Sequence, residues 1–150
     1  MERLLRNTLP TGRFENVSAA TSRAMAAVRS KHAATTERRF RALLISSGLK
    51  GWTMHAEQVL GRPDFLFLAR KLVIFVDGCF WHGCKKCGHV PLRNSKFWRT
   101  KIEQNHRRDR RIRRSLRRQG FRVVRVWEHE LRHPQRRLFL VRLRKILLQV

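Results

Sequence analysis

A chain of 150 residues with 35 Lys and Arg against 10 Asp and Glu carries a formal net charge of +25, an excess that repels itself until a polyanion such as DNA or RNA screens it. Its 42% hydrophobic content is too high for a disordered basic tail, and its length suits one folded core. No apolar run approaches the ~20 residues that span a bilayer, and the three cysteines form an odd, clustered set, which argues against a membrane protein or a disulfide-built secreted one.

In chain order, residues 1–20 are expected to be a flexible basic arm, followed by a single domain over residues 21–150. The first 28 residues lack a secretory hydrophobic stretch. Phe40, Leu43, Leu44 and Ser47 have helical spacing, with Thr35 or Thr36 as the cap and Gly48 as the stop. Three strands are predicted next, over Thr53–Val59, Asp64–Leu68 and Lys71–Val76. Gly61-Arg62-Pro63 turns between the first two, and Ala69-Arg70 makes a tight hairpin between the second and third. The continuous apolar run 72–76 reads as a buried central strand.

A loop rich in Gly, Cys and Lys fills residues 77–94. A basic helix is predicted from Ser95 to Gln119, with an apolar stripe of Phe97, Ile102, Ile112 and Leu116 and a stop at Gly120. Phe121–Trp127 is a further strand, with Trp52 and Trp127 as core residues. Pro134 opens a last helix carrying Leu138, Val141, Leu143, Ile146 and Leu147. The order α-β-β-β-α-β-α implies a mixed α/β fold, a central mixed sheet flanked by helices.

Only three aspartates occur, Asp64, Asp77 and Asp109. The hairpin should bring Asp64 beside the backbone of Val76 and Asp77, a setting that suits Mg²⁺ and a scissile phosphate as readily as it suits two turn aspartates. Cys79, Cys84 and Cys87 offer three thiolates on one loop with knuckle spacing for structural Zn²⁺. The fourth ligand is open among His82, His89 and His129. Phe80 and Trp81 with Trp98 place large rings among basic residues, as in surfaces that stack on or wedge between bases. Packing over the zinc loop would use the same rings. His82 can serve as a general base, a zinc ligand or a solvated loop residue. Asp109, four residues after Asn105 on the basic helix, is most simply a local ion-pair partner.

These motifs fall in a recognisable order. Gly61-Arg62-Pro63-Asp64-Phe65 precedes Asp77-Gly78-Cys79-Phe80-Trp81-His82-Gly83-Cys84. Phe97-Trp98, Lys101-Ile102, Asn105 with Arg108-Asp109, and Val126-Trp127-Glu128 follow. Over about residues 22–133 this resembles the very short patch repair (Vsr) endonucleases of bacteria. The resemblance implies a restriction-endonuclease-like fold and Mg²⁺-dependent nicking of double-stranded DNA 5′ to the thymine of a T:G mismatch left by 5-methylcytosine deamination.

It also implies site roles. Asp64 becomes the Mg²⁺ carboxylate with a contact from the Val76 carbonyl, His82 the catalytic histidine, Asp109 an active-site acid and Glu37 a helix acid near the metal. Phe80, Trp81 and Trp98 become the aromatic wedge, with Lys101 and Asn105 beside it on the DNA. The implied setting is the bacterial cytoplasm at the nucleoid, as a monomer, with mismatch-repair proteins as possible partners and no membrane.

Three departures stand out. Asp77 occupies a position where well-known members have histidine, so an acid there restores a carboxylate pair or alters metal preference. Cys79 sits where restriction-like nucleases place a lysine. His129 replaces a common cysteine as the distant zinc ligand, with His89 in reserve. Two other readings compete: a non-catalytic, zinc-stabilised nucleic-acid-binding module, and a related nuclease directed to another DNA structure.

Overall fold

A computed structural model describes residues 19–148. The expected arm, residues 1–20, lies outside the described residues except for Ala19 and Ala20, which open the first helix. In order the elements are α1 (Ala19–Ser46), β1 (Thr53–Met54), β2 (Phe65–Phe67), β3 (Leu72–Asp77), α2 (Ser95–Arg118), β4 (Arg122–Trp127) and α3 (Gln135–Leu148). Short 3₁₀ turns cover Leu68–Arg70 and Glu128–Leu131.

The four strands form one sheet in the order β1-β2-β3-β4. β1/β2 and β2/β3 are antiparallel, whereas β4 runs parallel to β3 after the crossover through α2. The expected mixed sheet flanked by helices is what forms.

Alternation along the strands sorts the core onto two faces. Phe65, Phe67, Leu72, Ile74 and Val126 meet Phe40, Leu43 and Leu44 of α1 and Phe139, Leu143 and Leu147 of α3. Leu66, Val73 and Phe75 pack on the other face with Leu116 and Ile112 of α2. Phe40 anchors the first layer edge-on to Phe65, with ring centroids 4.8 Å apart.

Several elements differ from the sequence-based reading. Among the described residues α1 already runs from Ala19, well before Thr36, because residues 19–35 are rich in alanine and contain neither Gly nor Pro. Thr36 is therefore a buried helix residue, not a cap. β1 stops at Met54, since His55 takes a left-handed φ of 52° and residues 56–62 fold into consecutive turns. The β2–β3 connection is the 3₁₀ turn closed by left-handed Lys71, not a two-residue hairpin.

α3 buries Phe139, Leu143 and Leu147, whereas Leu138 and Val141 face outward, so its apolar stripe is rotated from the expected one. Trp52 sits at the core edge against Phe65. Trp127 is half-buried and lines a cleft, because it ends β4 directly beside Asp77.

Candidate active site and metal centre

The end of β3 meets the start of β2, as the hairpin reading required. The Val76 N–H donates to Asp64 Oδ2 at 2.7 Å. Antiparallel pairing continues one residue past β1, where the His55 N–H donates to the Asp64 carbonyl at 3.1 Å. Glu37, from α1, reaches the same point, its Oε2 lying 3.4 Å from His55 Nε2. One ligand atom each from Glu37, His55 and Asp64 lie within 4.8 Å of one another.

Burial pushes the Asp64 carboxyl up to about 6, against the Val76 hydrogen bond and with the help of the Glu37 and Asp77 charges. Burial likewise raises Glu37, against the attraction of His55. Crowded, partly desolvated carboxylates of this kind fit a divalent cation, whose charge would offset the repulsion. The acid grouped with Asp64 is Glu37, whereas Asp77, which one of its two readings paired with Asp64, bonds to Arg125.

Asp77 is buried, 3% exposed, and belongs to a second network. Its Oδ1 accepts from Arg125 Nη2 at 2.8 Å, and its Oδ2 accepts from Arg125 Nε. The same guanidinium reaches Asp109 Oδ2 at 3.0 Å. Asp109 Oδ2 also lies 2.8 Å from His82 Nδ1. An ionised carboxylate can only accept, so the proton at this contact belongs to Nδ1. In the neutral ring His82 Nε2 would then be the acceptor nitrogen; it lies 3.8 Å from Asp77 Oδ1.

Burial would raise Asp109, but the His82 hydrogen bond and the Arg125 and Arg108 charges hold it below the usual carboxylate range. Burial would lower Arg125, but the hydrogen bond and charge of Asp77 hold it above its ordinary value. These groups line a cleft of about 210 Å³ with Trp127, rimmed by Arg110 and Arg113.

The loop from Gly78 to Asn94 is held on α2. Asn105 Nδ2 donates to the Trp81 carbonyl at 2.8 Å, and His106 Nε2 meets the His82 carbonyl at 2.5 Å. Gly83 is left-handed at φ 58°, and a Cβ there would come within 2.5 Å of Ile102 Cγ2. Only glycine lets the loop lie this close.

Phe80, Trp81 and Trp98 pack edge-on with centroids 5.0–5.7 Å apart. Trp98 is 7% exposed, while Phe80 and Trp81 are half-buried at the loop surface. Lys101 is half-buried, and Arg107, Arg110, Arg111, Arg114 and Arg118 project from exposed positions of α2.

Cys79, Cys84, Cys87 and His129 form the other cluster. Their sulfurs lie 3.3, 3.6 and 3.4 Å from His129 Nδ1, and Cys84 and Cys87 are 3.7 Å apart. A tetrahedral S₃N zinc site has edges of ~3.6–3.8 Å, so the donor set fits. Burial and the adjoining Cys87 push the Cys79 thiol up to about 12. Burial also opposes ionisation of Cys84, but backbone hydrogen bonds from Cys87 and Lys86 hold it below its ordinary value. A cation would stabilise all three thiolates.

Gly88 closes the knuckle through a 2.7 Å bond to the Cys84 carbonyl, which a Cβ would approach to 2.5 Å. His89 instead packs against Phe80, and among the described residues the nitrogen grouped with the three sulfurs is that of His129.

Sequence reasoning missed His55, His106 and Arg125. Arg125 left one usable signal, a charged residue inside the apolar strand Val123–Trp127. His55 and His106 acquire meaning only from what lies opposite them.

A mixed sheet with an acid cluster where β2 begins and β3 ends, backed by helices on both faces, places the domain in the restriction-endonuclease-like class. A family model described as DNA mismatch endonuclease Vsr matches residues 16–89. Type II nicking enzyme V.XorIIP of Xanthomonas oryzae pv. oryzae is 42% identical over 109 residues, covering 71% of this chain and 78% of that enzyme. The chain belongs to the Vsr family of DNA mismatch endonucleases.

Type II nicking enzyme V.NaeI of Lentzea aerocolonigenes is 49% identical over 69 residues, 46% of this chain. DNA mismatch endonuclease Vsr of Escherichia coli is 41% identical over 98 residues, 64% of this chain. The matched stretches span 42% of V.NaeI and 62% of the Escherichia coli enzyme.

Proposed function

We propose that the chain is a DNA endonuclease that nicks one strand of a duplex 5′ to the thymine of a T:G mismatch, with Mg²⁺ for chemistry and Zn²⁺ for architecture. The observation that carries this reading is the 2.7 Å bond from the Val76 N–H to Asp64. It ties the acid cluster to the strand that leads into the His82 loop, so a cation site and a proton acceptor share one end of the sheet.

Asp64 and Glu37, with the Val76 carbonyl, would hold the cation. Bound there, it supplies Lewis-acid polarisation of the scissile phosphate. His82 does the proton work: its Nδ1–H is donated to Asp109, leaving Nε2 to take a proton from the attacking water. Asp109 orients the imidazole and stabilises its protonated form, while Arg125 holds Asp109 and Asp77 in place. Phe80 and Trp81, backed by Trp98, wedge into the stack beside the mismatch, where unstacking costs least. Lys101 and the exposed arginines of α2 neutralise phosphates, and Asn105 shapes the wedge loop.

Zinc held by Cys79, Cys84, Cys87 and His129 would crosslink that loop to the 3₁₀ turn that follows β4. Residues 21–150 act as one catalytic unit, monomeric on DNA in the bacterial cytoplasm at the nucleoid. The basic arm 1–20 adds to the grip, and mismatch-repair proteins take over the nick.

A nicking assay tests the reading, using duplexes with and without T:G, Mg²⁺ or EDTA, and wild type against Asp64→Ala. Cutting of the mismatched strand alone, lost with EDTA and in Asp64→Ala, is expected. Equal cutting by Asp64→Ala would overturn the metal assignment. Equal cutting of matched duplex would leave a nuclease of another specificity. Tight binding without cutting by wild type would leave a zinc-stabilised binding module.

A further inference from the structure

We infer that His55 is a third protein ligand of the cation held by Asp64 and Glu37, making a mixed nitrogen–oxygen site that prefers a first-row transition cation such as Mn²⁺ to Mg²⁺. This rests on the cation reading of Asp64 and names the ion chemistry of the same site.

Three observations converge on His55. First, the β1–β2 register pairs Met54 with Phe65, so residue 55 falls opposite residue 64, and the His55 N–H donates to the Asp64 carbonyl at 3.1 Å. Second, the imidazole Nε2 lies 3.4 Å from Glu37 Oε2, and the donor atoms of all three side chains lie within 4.8 Å of one another. A single cation can bridge donors at that spacing. Third, His55 takes φ 52°, a left-handed conformation that L side chains rarely adopt and that ends β1 at this residue. Glycine would satisfy the turn without strain. The turn it makes leaves the imidazole beside Glu37 and in one cluster with Asp64.

Imidazole changes which ion the site selects. Carboxylates, carbonyls and water suit Mg²⁺, which binds imidazole poorly, whereas Mn²⁺ and later first-row ions accept nitrogen and oxygen donors together. Glu37 and Asp64 alone give a site for hard cations, and His55 shifts it toward Mn²⁺. The side chain of His55 is 55% exposed, so the ring can swing onto an ion without disturbing the core.

The test uses the full chain with its Cys₃His site loaded with zinc. Calorimetry with Mn²⁺ and with Mg²⁺ measures affinity, and pulsed EPR of the Mn²⁺-loaded protein detects a nitrogen ligand. Wild type is expected to bind Mn²⁺ about tenfold or more tighter than Mg²⁺ and to show imidazole nitrogen coupling. His55→Gln should lose about tenfold in Mn²⁺ affinity and lose the nitrogen signal, with Mg²⁺ affinity changed about twofold or less.

His55→Gly should also lose the signal while melting at or above the wild-type temperature, because glycine accepts the positive φ. A nitrogen signal that survives both substitutions overturns the assignment. So does an unchanged Mn²⁺ preference accompanied by lower melting temperatures, which would make His55 an ion-pair partner of Glu37 alone. Asp64→Ala is the separate arm. If it binds both cations as wild type does, the cation site itself is misplaced. If it loses both while His55→Gln keeps the wild-type preference, only the role of His55 falls.

Discussion

The Arg125 guanidinium grips both carboxylate oxygens of Asp77, Nε donating to Oδ2 and Nη2 to Oδ1 at 2.8 Å. Parallel pairing sets this up: Asp77 pairs with Trp127 and Phe75 with Arg125, so Asp77 and Arg125 share a face two register positions apart. Arg125 also lies over the Phe75 ring at 5.2 Å, which fixes its approach. The acid that departs from the family's histidine is thus charge-compensated from the neighbouring strand.

Arg125→Met is therefore expected to destabilise the fold by about 3–5 kcal/mol, because it leaves the buried Asp77 carboxylate without its guanidinium, while Asp109 keeps its contact to His82. Combining it with Asp77→Asn should recover a substantial part of that loss. Urea denaturation of the two single variants and the double variant measures the coupling, and additive losses would contradict it.

Asp64 gives a pH signature of defined sign. Its folded value of about 6 lies above its ordinary 3.8, so the folded state binds this proton more tightly than the unfolded state. Stability falls as pH rises from about 4 to about 6, and the deficit is complete above that window. With zinc retained and no other divalent cation, Asp64→Asn should be about 1–2 kcal/mol more stable than wild type at pH ~8. The gap should narrow by pH ~5. Added Mg²⁺ or Mn²⁺ should stabilise wild type only. Denaturation curves showing no dependence on pH or cation would contradict the expectation.

His82 and Asp109 form a second, separable test. Replacing His82 with Ala should slow nicking about 10²–10⁴-fold with DNA affinity little changed. Asp109→Asn should slow it by a smaller factor. Asp109 lies below its ordinary value in the folded state. Its contribution to stability is therefore present above the unfolded value of ~3.9 and lost only as pH falls through the lowered folded value. Single-turnover nicking and acid denaturation read the two effects.

For the Cys₃His cluster, about one tightly held zinc per chain is expected. His129→Ala should lower zinc content and cost about 2 kcal/mol or more, roughly 5–10 °C in melting temperature. His89→Ala should change neither, because His89 faces Phe80 instead of the sulfurs. Metal analysis with thermal melts distinguishes the two histidines, and zinc retained in His129→Ala would discard it as a ligand.

The three rings should separate by burial. Trp98→Ala is expected to cost about 3 kcal/mol or more in stability, as a large buried side chain does. Trp81→Ala should leave the melting temperature nearly unchanged and reduce the preference for mismatched over matched duplex. Binding to both duplexes, measured at fixed salt, decides it. An unchanged preference would remove Trp81 from mismatch recognition.

The sequence by itself determined what depends on local spacing and composition. A net charge of +25 defined the class of partner. Cys79, Cys84 and Cys87 lie close enough in the chain that their spacing alone puts three sulfurs on one loop. The hairpin brought Asp64 to the end of β3 because neighbouring strands with a short connection have few other ways to pair.

Tertiary structure decided the rest, because it depends on which distant elements meet. Glu37 joins Asp64 through the packing of α1 on the sheet. His55 joins them because it follows β1 directly and so falls opposite Asp64. Arg125 reaches Asp77 across 48 residues through the parallel register of β3 and β4. His129 was distinguished from His89 by the position of β4, which carries it to the three sulfurs. Charges and imidazoles are legible one residue at a time, but whether an acid binds a metal, an arginine or a histidine depends on a few ångströms that local pattern does not encode.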